Sequence, residues 1–377
     1  MTNEVLQKIA SDEQNISSSN GLEPKLRFKE FDGKWSRNIL GNCCDIIMGQ
    51  SPDSSSYNNN CIGLPLVQGN ADMCERIATP QRYTSQPTKI CEAGSIILSV
   101  RAPVGTVGKT FQKICLGRGV CGITSKNIEF MYQYLLNNEN SWRHIEQGGT
   151  FTAINSDDIK SFPIILPSLP EQKKIADFLS LIDQRIEKQR RLVESLKKYK
   201  RGALSRVFND VLETVKLSDI SNFISSARTL STTLNGNKGI YPVYDAAGIA
   251  GYIDYYDIDS DYITIVKDGS GVGRLQKCDK KSSFIGTLGA LVAKNCTTDF
   301  LYAVLQTIDF SKFVTGMAIP HIYYRDYKST LLPFPSEEKQ HFISQLLKKF
   351  DIYIENETQK LTNMLAYKQG LLQQMFI

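Results

Sequence analysis

Glycine-rich turns, paired carboxylates, histidines and cysteines are the residues from which this chain could build a reactive centre, and their spacing excludes most of the options. Val104–Thr110 (VGTVGKT) ends like a phosphate-cradling loop. Such a loop needs a glycine five residues before Gly108, and Pro103 stands there, so a turn between strands is the better reading. Its echo at Gly269–Arg274 (GSGVGR) lacks the Lys-Thr pair and, ending in Arg, fails the GxGxxG fingerprint. Nine cysteines occur without a CxxC pair, and the three histidines (His144, His321, His341) complete no zinc spacing. Reduced, buried thiols in a cytosolic protein are expected. No GxSxG, no HExxH and no Asp/Asn-Pro-Pro-aromatic tetrapeptide is present. Asp157-Asp158 reads as a solvated helix or loop boundary rather than an acid–base pair. The sequence offers no catalytic constellation, no metal site and no cofactor loop.

The loops instead hold hydrogen-bonding side chains with basic neighbours. In the first half these are Gln50, Ser51, Gln68, Asn70, Arg101, Lys109, Arg118 and Thr150; in the second, Arg228, Lys267, Ser270, Arg274, His321, Tyr323 and Tyr324. Arg and Lys read guanine edges, Asn and Gln read adenine, and hydroxyls and backbone amides fix phosphates. Ordinary loop polarity accounts for any one of them alone. Their recurrence at matching points of two repeats points to DNA contact.

The elements that must position these loops are more legible than the loops. Pro170–Phe208 contains no further proline after its first residue, and no glycine before Gly202. Apolar residues recur there in steps of four and three at Ile175, Leu179, Ile182, Ile186, Val193 and Leu196, with polar breaks at Gln189 and Lys200. That is a coiled-coil seam, on a helix spanning roughly 50 Å from Ile175 to Val207. The same seam returns 168 residues later as Ile343, Leu347, Phe350, Ile354, Leu361 and Met364, broken at Glu357 and Lys368. Asp183 matches Asp351, Tyr199-Lys200 matches Tyr367-Lys368, and Phe208 matches Phe376. A generic coiled coil explains one stripe but not the same polar breaks twice. The chain is a duplication whose two long helices are expected to bury their stripes against each other.

At 377 residues the chain exceeds one ordinary core. No apolar run reaches the ~20 residues that span a bilayer, and no secretory h-region opens the chain. The net charge of +5 permits a polyanionic partner. The first long helix carries eleven Lys/Arg against five Asp/Glu, whereas the second balances five against five. Met1 to about Pro24 is polar and expected to be an arm of little order. Short β-like runs follow at Cys44–Met48, Leu64–Val67, Ser95–Arg101 and Val120–Thr124. Helices follow near Ile128–Asn138 and Ser141–Glu146, then the extended FPIILP at 162–167. The second half repeats this order, with Leu217–Ile220 in the place of Ile39–Gly41. Tyr262–Lys267 followed by DGSGVGR echoes Ser95–Arg101 followed by APVGTVGK, which sets Lys267 against Arg101 and Arg274 against Lys109. Gly148 and Ile154 map onto Gly316 and Ile322, and Asp157-Asp158 onto Arg325-Asp326. The resulting domain limits are an arm at 1–34, globules at 35–167 and 212–333, and helical segments at 168–211 and 334–377.

Lys25–Trp35 (KLRFKEFDGKW), the stretch LPSLPEQKKIADFLSLIDQRIEKQRRLVESLKKYKRGALSRVF at 166–208 and two halves ending in long helices resemble the specificity subunit of type I restriction–modification enzymes. The resemblance runs from about Lys25 to the C-terminus. It is more degenerate in the second helix, where PSLPEQ at 167–172 answers to PSEEKQ at 335–340 and keeps only Pro335, Ser336 and Gln340. It implies an α+β fold: two mixed α/β target-recognition domains separated by two long helices in an antiparallel coiled coil, with pseudo-twofold symmetry. It further implies that each domain reads one half of an asymmetric, interrupted site in double-stranded DNA. The helices would set the gap and dock methyltransferase subunits, two per chain, with a translocase–nuclease subunit joining for restriction. S-adenosylmethionine would be bound by the methyltransferase subunit for transfer to adenine N6, and none by this non-catalytic, cytoplasmic chain. The alternatives are a DNA-binding scaffold or inactive relative and, more remotely, a self-sufficient DNA-modifying enzyme.

Overall fold

The computed structural model describes residues 23–145, 153–225, 234, 239–316 and 319–377. Nine α-helices occur among them: α1 Leu40–Cys43, α2 Ile128–Asn137, α3 Glu139–Ile145, α4 Ser156–Lys160, α5 Leu169–Asn209, α6 Leu217–Ile220, α7 Thr298–Leu305, α8 Tyr324–Tyr327 and α9 Glu337–Met375. The chain divides into two compact units. The first comprises residues up to Gln189 together with Lys360–Ile377, and the second comprises Arg190–Gln359. Each unit therefore contains a globule and part of both long helices, a division that cuts across the expected boundaries at 168 and 334.

In the first unit, a six-stranded sheet runs in the order Cys44–Met48, Val120–Ser125, Ile96–Ser99, Val107–Lys109, Ile77–Ala78, Met73–Cys74. A five-stranded sheet lies beside it, and an antiparallel ribbon pairs Ser36–Ile39 with Pro163–Leu166. Successive strand residues face opposite ways. Ile96 and Leu98 accordingly join the core under α2, with Phe130, Met131 and Leu135. Ile97 joins a second core with Val67, Cys91, Ile114 and Leu116. A strand buried on both faces explains the unbroken apolar run Ile96-Ile97-Leu98. Burial pushes the thiols of Cys44 and Cys121 up to about 12.

The second unit repeats the topology. Ser221–Ile224, Leu288–Ala293, Tyr262–Val266 and Leu275–Cys278 follow one another in a four-stranded sheet. A three-stranded sheet replaces the five-stranded one, and Thr214–Lys216 pairs antiparallel with Leu331–Pro333. Lys109 lies opposite Ile96 and Lys277 opposite Ile263. Lys109 therefore corresponds to Lys277 and not, as the sequence echo suggested, to Arg274. Gly105 and Gly273 are the true pair: both hold a left-handed φ, +86° and +85°. A Cβ would strike Trp142 at 2.6 Å in the first case and Phe310 at 2.7 Å in the second, so only glycine fits either place. The strand-to-strand turn is one residue longer in the second unit, from Val266 to Gly273 instead of Ser99 to Gly105. That extra residue also moves the partner of Arg101 from Lys267 to Asp268.

The long helices pair within each unit through the expected seam. In the second unit Tyr199 meets Phe350, their ring centroids 5.7 Å apart, while Leu204 and Phe208 share a core with Ile343 and Leu347. Later residues of α5 thus meet earlier residues of α9, and the pairing is antiparallel. In the first unit Ile175, Leu179 and Ile182 share a core with Leu371, Leu372, Met375 and Phe376. Ile186 and Val193 are buried, and Leu196, Ile354, Leu361 and Met364 are half-buried. Two of the polar breaks are ion pairs: Lys368 Nζ lies 2.6 Å from Asp183 in the first unit, and Lys200 Nζ 2.6 Å from Asp351 in the second. Burial lowers the Lys368 pKa against the pull of Asp183. Gln172 and Gln340 each donate from Nε2 to the carbonyl of the proline five residues earlier, at 3.0 and 2.9 Å. That helix-start bond accounts for the survival of Pro335 and Gln340 in the degenerate copy.

In the first unit the segment ahead of the ribbon packs onto the long helices. Arg27 grips Glu171 with Nε and Nη2, both at 2.8 Å, and Trp35 Nε1 donates to the same carboxylate at 3.4 Å. Phe28 packs edge-on against Phe178 and Trp35 against Phe376. In the second unit Phe208, the counterpart of Phe376, lines a groove of about 640 Å³ with Tyr302, Leu305 and Phe310.

Candidate nucleic-acid interface

In the first unit the strand Ile96–Ser99 has two ends with different chemistry. Past Ser99, four loops meet through backbone hydrogen bonds: Gln50 N donates to Leu116 O, Gly117 N to Val67 O, Gly119 N to Gln68 O and Val100 N to Gly119 O, all at 2.7–3.0 Å. The loops approach so closely that a Cβ on Gly119 would lie 2.2 Å from the Gln68 carbonyl. Gln50, Ser51, Gln68, Asn70, Arg101 and Arg118 are thereby gathered at one edge. Gln50, Arg101 and Arg118 are exposed there, and Ser51 Oγ accepts from Arg118 N at 3.2 Å. Gln68 turns inward, donating from Nε2 to Tyr57 Oη at 2.9 Å.

Lys109 belongs to the other end, beside Ile96, five residues or roughly 16 Å along the strand direction from Arg101. Its Nζ lies 2.5 Å from Glu129 and 4.1 Å from the centroid of Tyr132. Lys277 repeats the arrangement with Asp299 and Tyr302. A lysine committed twice, at equivalent places, to the helix below it is holding α2 or α7 to its sheet. The Val104–Thr110 stretch is thus a turn that leads into a strand, with Gly108 and Lys109 inside the strand Val107–Lys109.

The matching edge of the second unit is built from Lys267, Ser270, Arg274, His321, Tyr323 and Tyr324. Ile322 N donates to Lys267 O at 2.9 Å as Ile154 N does to Val100 O at 3.0 Å, and the bridge Asp268–His321 answers to Arg101–Ala153. Lys267 Nζ donates to Ser225 O at 2.8 Å, and Arg274 Nη1 to Ala246 O at 3.1 Å. Ser270 and Tyr323 are exposed. Tyr324 is stacked flat on Phe223, ring centroids 4.3 Å apart, which makes it a support for the edge. Arg325, which residue type and spacing did not single out, lies with its guanidinium 4.6 Å from the Tyr323 ring centroid. The signal that finds it is the alignment of Asp157 with Arg325, a reversal of charge on a repeated frame. Thr150 and Arg228 lie outside the described residues.

Each edge is a set of loops carried on a sheet, turning arginine and amide groups to solvent in the first unit and arginine and hydroxyl groups in the second. That inventory suits hydrogen bonding to base edges and phosphates. Among the described residues, no helix is long and apolar enough to cross a membrane, and no three His, Cys, Asp or Glu side chains are grouped to hold a metal ion.

Known proteins share this frame. The sequence profile of the type I restriction modification DNA specificity domain matches residues 33–197 and again 209–365. The MjaX type I restriction enzyme specificity subunit of Methanocaldococcus jannaschii is 38% identical over 187 residues, covering 48% of this chain and 44% of the relative. The chain thus spans less than half the length of that relative. The EcoprrI specificity subunit of Escherichia coli is 23% identical over 292 residues, 70% of this chain and 72% of the relative. The crystal structure of the type I restriction–modification system S subunit from M. genitalium superposes with a TM-score of 0.59 at 17% identity, over 94% of this chain and 99% of that one, a likeness of fold. With its duplicated frame matched in both copies, the chain belongs to the type I restriction modification DNA specificity family.

Proposed function

We propose that the chain is the DNA-recognition component of a type I restriction–modification enzyme, with each unit addressing one half of an asymmetric, interrupted duplex site. The observation that carries this reading is one frame used twice with different solvent-facing edges: the hydrogen bonds of Val100 and Ile154 recur at Lys267 and Ile322, while the side chains around them change. Two edges of unlike chemistry suit two unlike half-sites. The paired helices set the gap, and their basic outer surface, supplied mainly by α5, contributes to docking methyltransferase subunits. S-adenosylmethionine is held by the methyltransferase, which transfers the methyl group to adenine N6. This chain supplies the address and none of the bond-making groups, and acts in the cytoplasm, where a translocase–nuclease subunit joins for restriction.

The test is an exchange. Replacing residues 214–333 with the corresponding segment of another family member should change one half of the methylated consensus and leave the other half and the gap as they were. A change in both halves, or in neither, would refute the division of labour.

A further inference from the structure

The turn before α8 departs from its counterpart before α4 in a way that packing does not require. In the first unit Asn155 caps the helix: its Oδ1 accepts from Asp157 N at 2.8 Å and from Asp158 N at 3.0 Å. In the second unit Tyr323 holds the cap position and makes no side-chain cap bond. The buried anchor one turn on is kept, as Ile159 in one unit and Tyr327 in the other. The backbone is therefore held in place while a favourable cap residue has been replaced by an aromatic one. Sequence choices that break a local rule on an otherwise satisfied frame concentrate at functional sites.

Tyr323 is 46% exposed. The Arg325 guanidinium lies 4.6 Å from its ring centroid, and His321 packs edge-on, its ring 5.0 Å away. His321 is fixed in turn by paired backbone bonds with Thr315 at 2.8 and 2.9 Å. The Arg325 side chain keeps 75% of its surface in solvent, so stacking orients it without consuming its donors. Arg325 Nε also lies 3.5 Å from Asp326 Oδ1, and the Asp326 side chain is 38% exposed. A carboxylate at that distance works against the approach of a phosphate. It suits a G·C pair, where guanine O6 and N7 accept from arginine and cytosine N4 donates to a carboxylate. Arg325 and Asp326 are adjacent in sequence and side by side in space, as contacts to the two bases of one pair would need.

We infer that Arg325, oriented on Tyr323 and accompanied by Asp326, reads a guanine in the half-site addressed by the second unit. The inference rests on the DNA-reading role proposed above and assigns one base position to one side chain. The first unit carries Ala153, Asn155 and Asp157 at the equivalent places, and none of the three has a guanidinium.

The experiment is methylome sequencing of a methylation-free host expressing the cognate methyltransferase subunit with the full chain, either wild type, Arg325→Ala or Arg325→Lys. A wild-type chain that directs no bipartite consensus would defeat the DNA-reading role itself, before any variant is compared. Given a wild-type consensus, Arg325→Ala should relax a single guanine position in one half-site by at least about tenfold. The other half and the gap should stay the same. Arg325→Lys should restore the position only in part, because a lysine can still donate to guanine but lacks the planar fork that stacks on Tyr323. An unchanged consensus, with methylation either intact or evenly reduced at all sites, would overturn the inference in favour of a phosphate contact or none. Should Arg325→Ala methylate nothing, binding of the purified variant complex to duplexes substituted at each position of the wild-type site decides the matter. Lost discrimination at one guanine supports the assignment, and uniform weakening overturns it.

Discussion

At equivalent positions beyond the central strand, the first unit presents Arg101, Ala153, Asn155 and Asp157, and the second Asp268, His321, Tyr323 and Arg325. The backbone bridges recur: Arg101–Ala153 and Asp268–His321 occupy the same place in the two sheets. Beneath the sheets the side chains agree as well, with Lys109–Glu129 answered by Lys277–Asp299 and Gly105 by Gly273. The solvent-facing edge and the five- and three-stranded side sheets differ most. Residues that hold the frame together are under one set of physical constraints in both copies. Residues at the edge are free to answer to whatever the edge touches.

The units also differ in how they are fastened. The first is strapped by Arg27 and Trp35 onto Glu171 and Phe376, whereas the second leaves the counterpart of Phe376 lining a groove. In the first, Gln133 Nε2 donates to Asp183 at 2.7 Å, linking α2 to the Asp183–Lys368 pair. The position of Gln133 falls to Ala303 in the second unit, where the Lys200 ammonium instead lies 5.9 Å from the Tyr302 ring centroid.

The largest effect is expected from breaking what the units share. Ile182→Asp with Phe350→Asp places a carboxylate in the seam of each unit, and burial of an unpaired charge should cost several kcal/mol, on the order of 3–5. Thermal unfolding should fall sharply and site-specific methylation should vanish; retained site selection would contradict the seam. Trp35→Ala removes a fully buried side chain that only the first unit possesses, at about 3–5 kcal/mol. Limited proteolysis should then cut the first unit before the second, and the reverse order would show that the strap is idle. Lys368→Met takes the cation from Asp183 while Gln133 still donates to it, for a loss of about 1–3 kcal/mol. Adding Asp183→Leu together with Gln133→Leu, which removes the whole polar cluster, should recover part of that loss in a denaturant titration. The smallest difference concerns the thiols. Cys61 and Cys74, both in the first unit, are exposed, whereas burial holds Cys278 and Cys296 in the second at about 11. Iodoacetamide at pH 8 should modify the first two well before either thiol of the second unit.

The frame was legible in the sequence because it rests on periodicity. The seam residues, the long helices and the strands at Cys44–Met48 and Leu64–Val67 follow from spacing alone, and α5 runs from Leu169 to Asn209 against an expected Pro170 to Phe208. The edge was less legible, because it depends on register between copies. Val107-Gly108-Lys109 and Val272-Gly273-Arg274 look alike, and only the pairing of Lys109 with Ile96 and Lys277 with Ile263 reveals the extra turn residue. The commitment of Lys109 to Glu129 joins strand to helix across twenty residues, and no local pattern announces it. The ion pairs of the seam were visible as polar breaks, but Asp183 and Asp351, which satisfy them, lie on the opposite helix in each case.

The most direct test of the central claim is methylome sequencing of a host carrying the cognate methyltransferase subunit, with and without this chain. A bipartite N6-methyladenine consensus with two unlike halves, present with the chain and gone without it, is the predicted result. An identical methylome in the two hosts, with the methyltransferase subunit shown to be active, would contradict it.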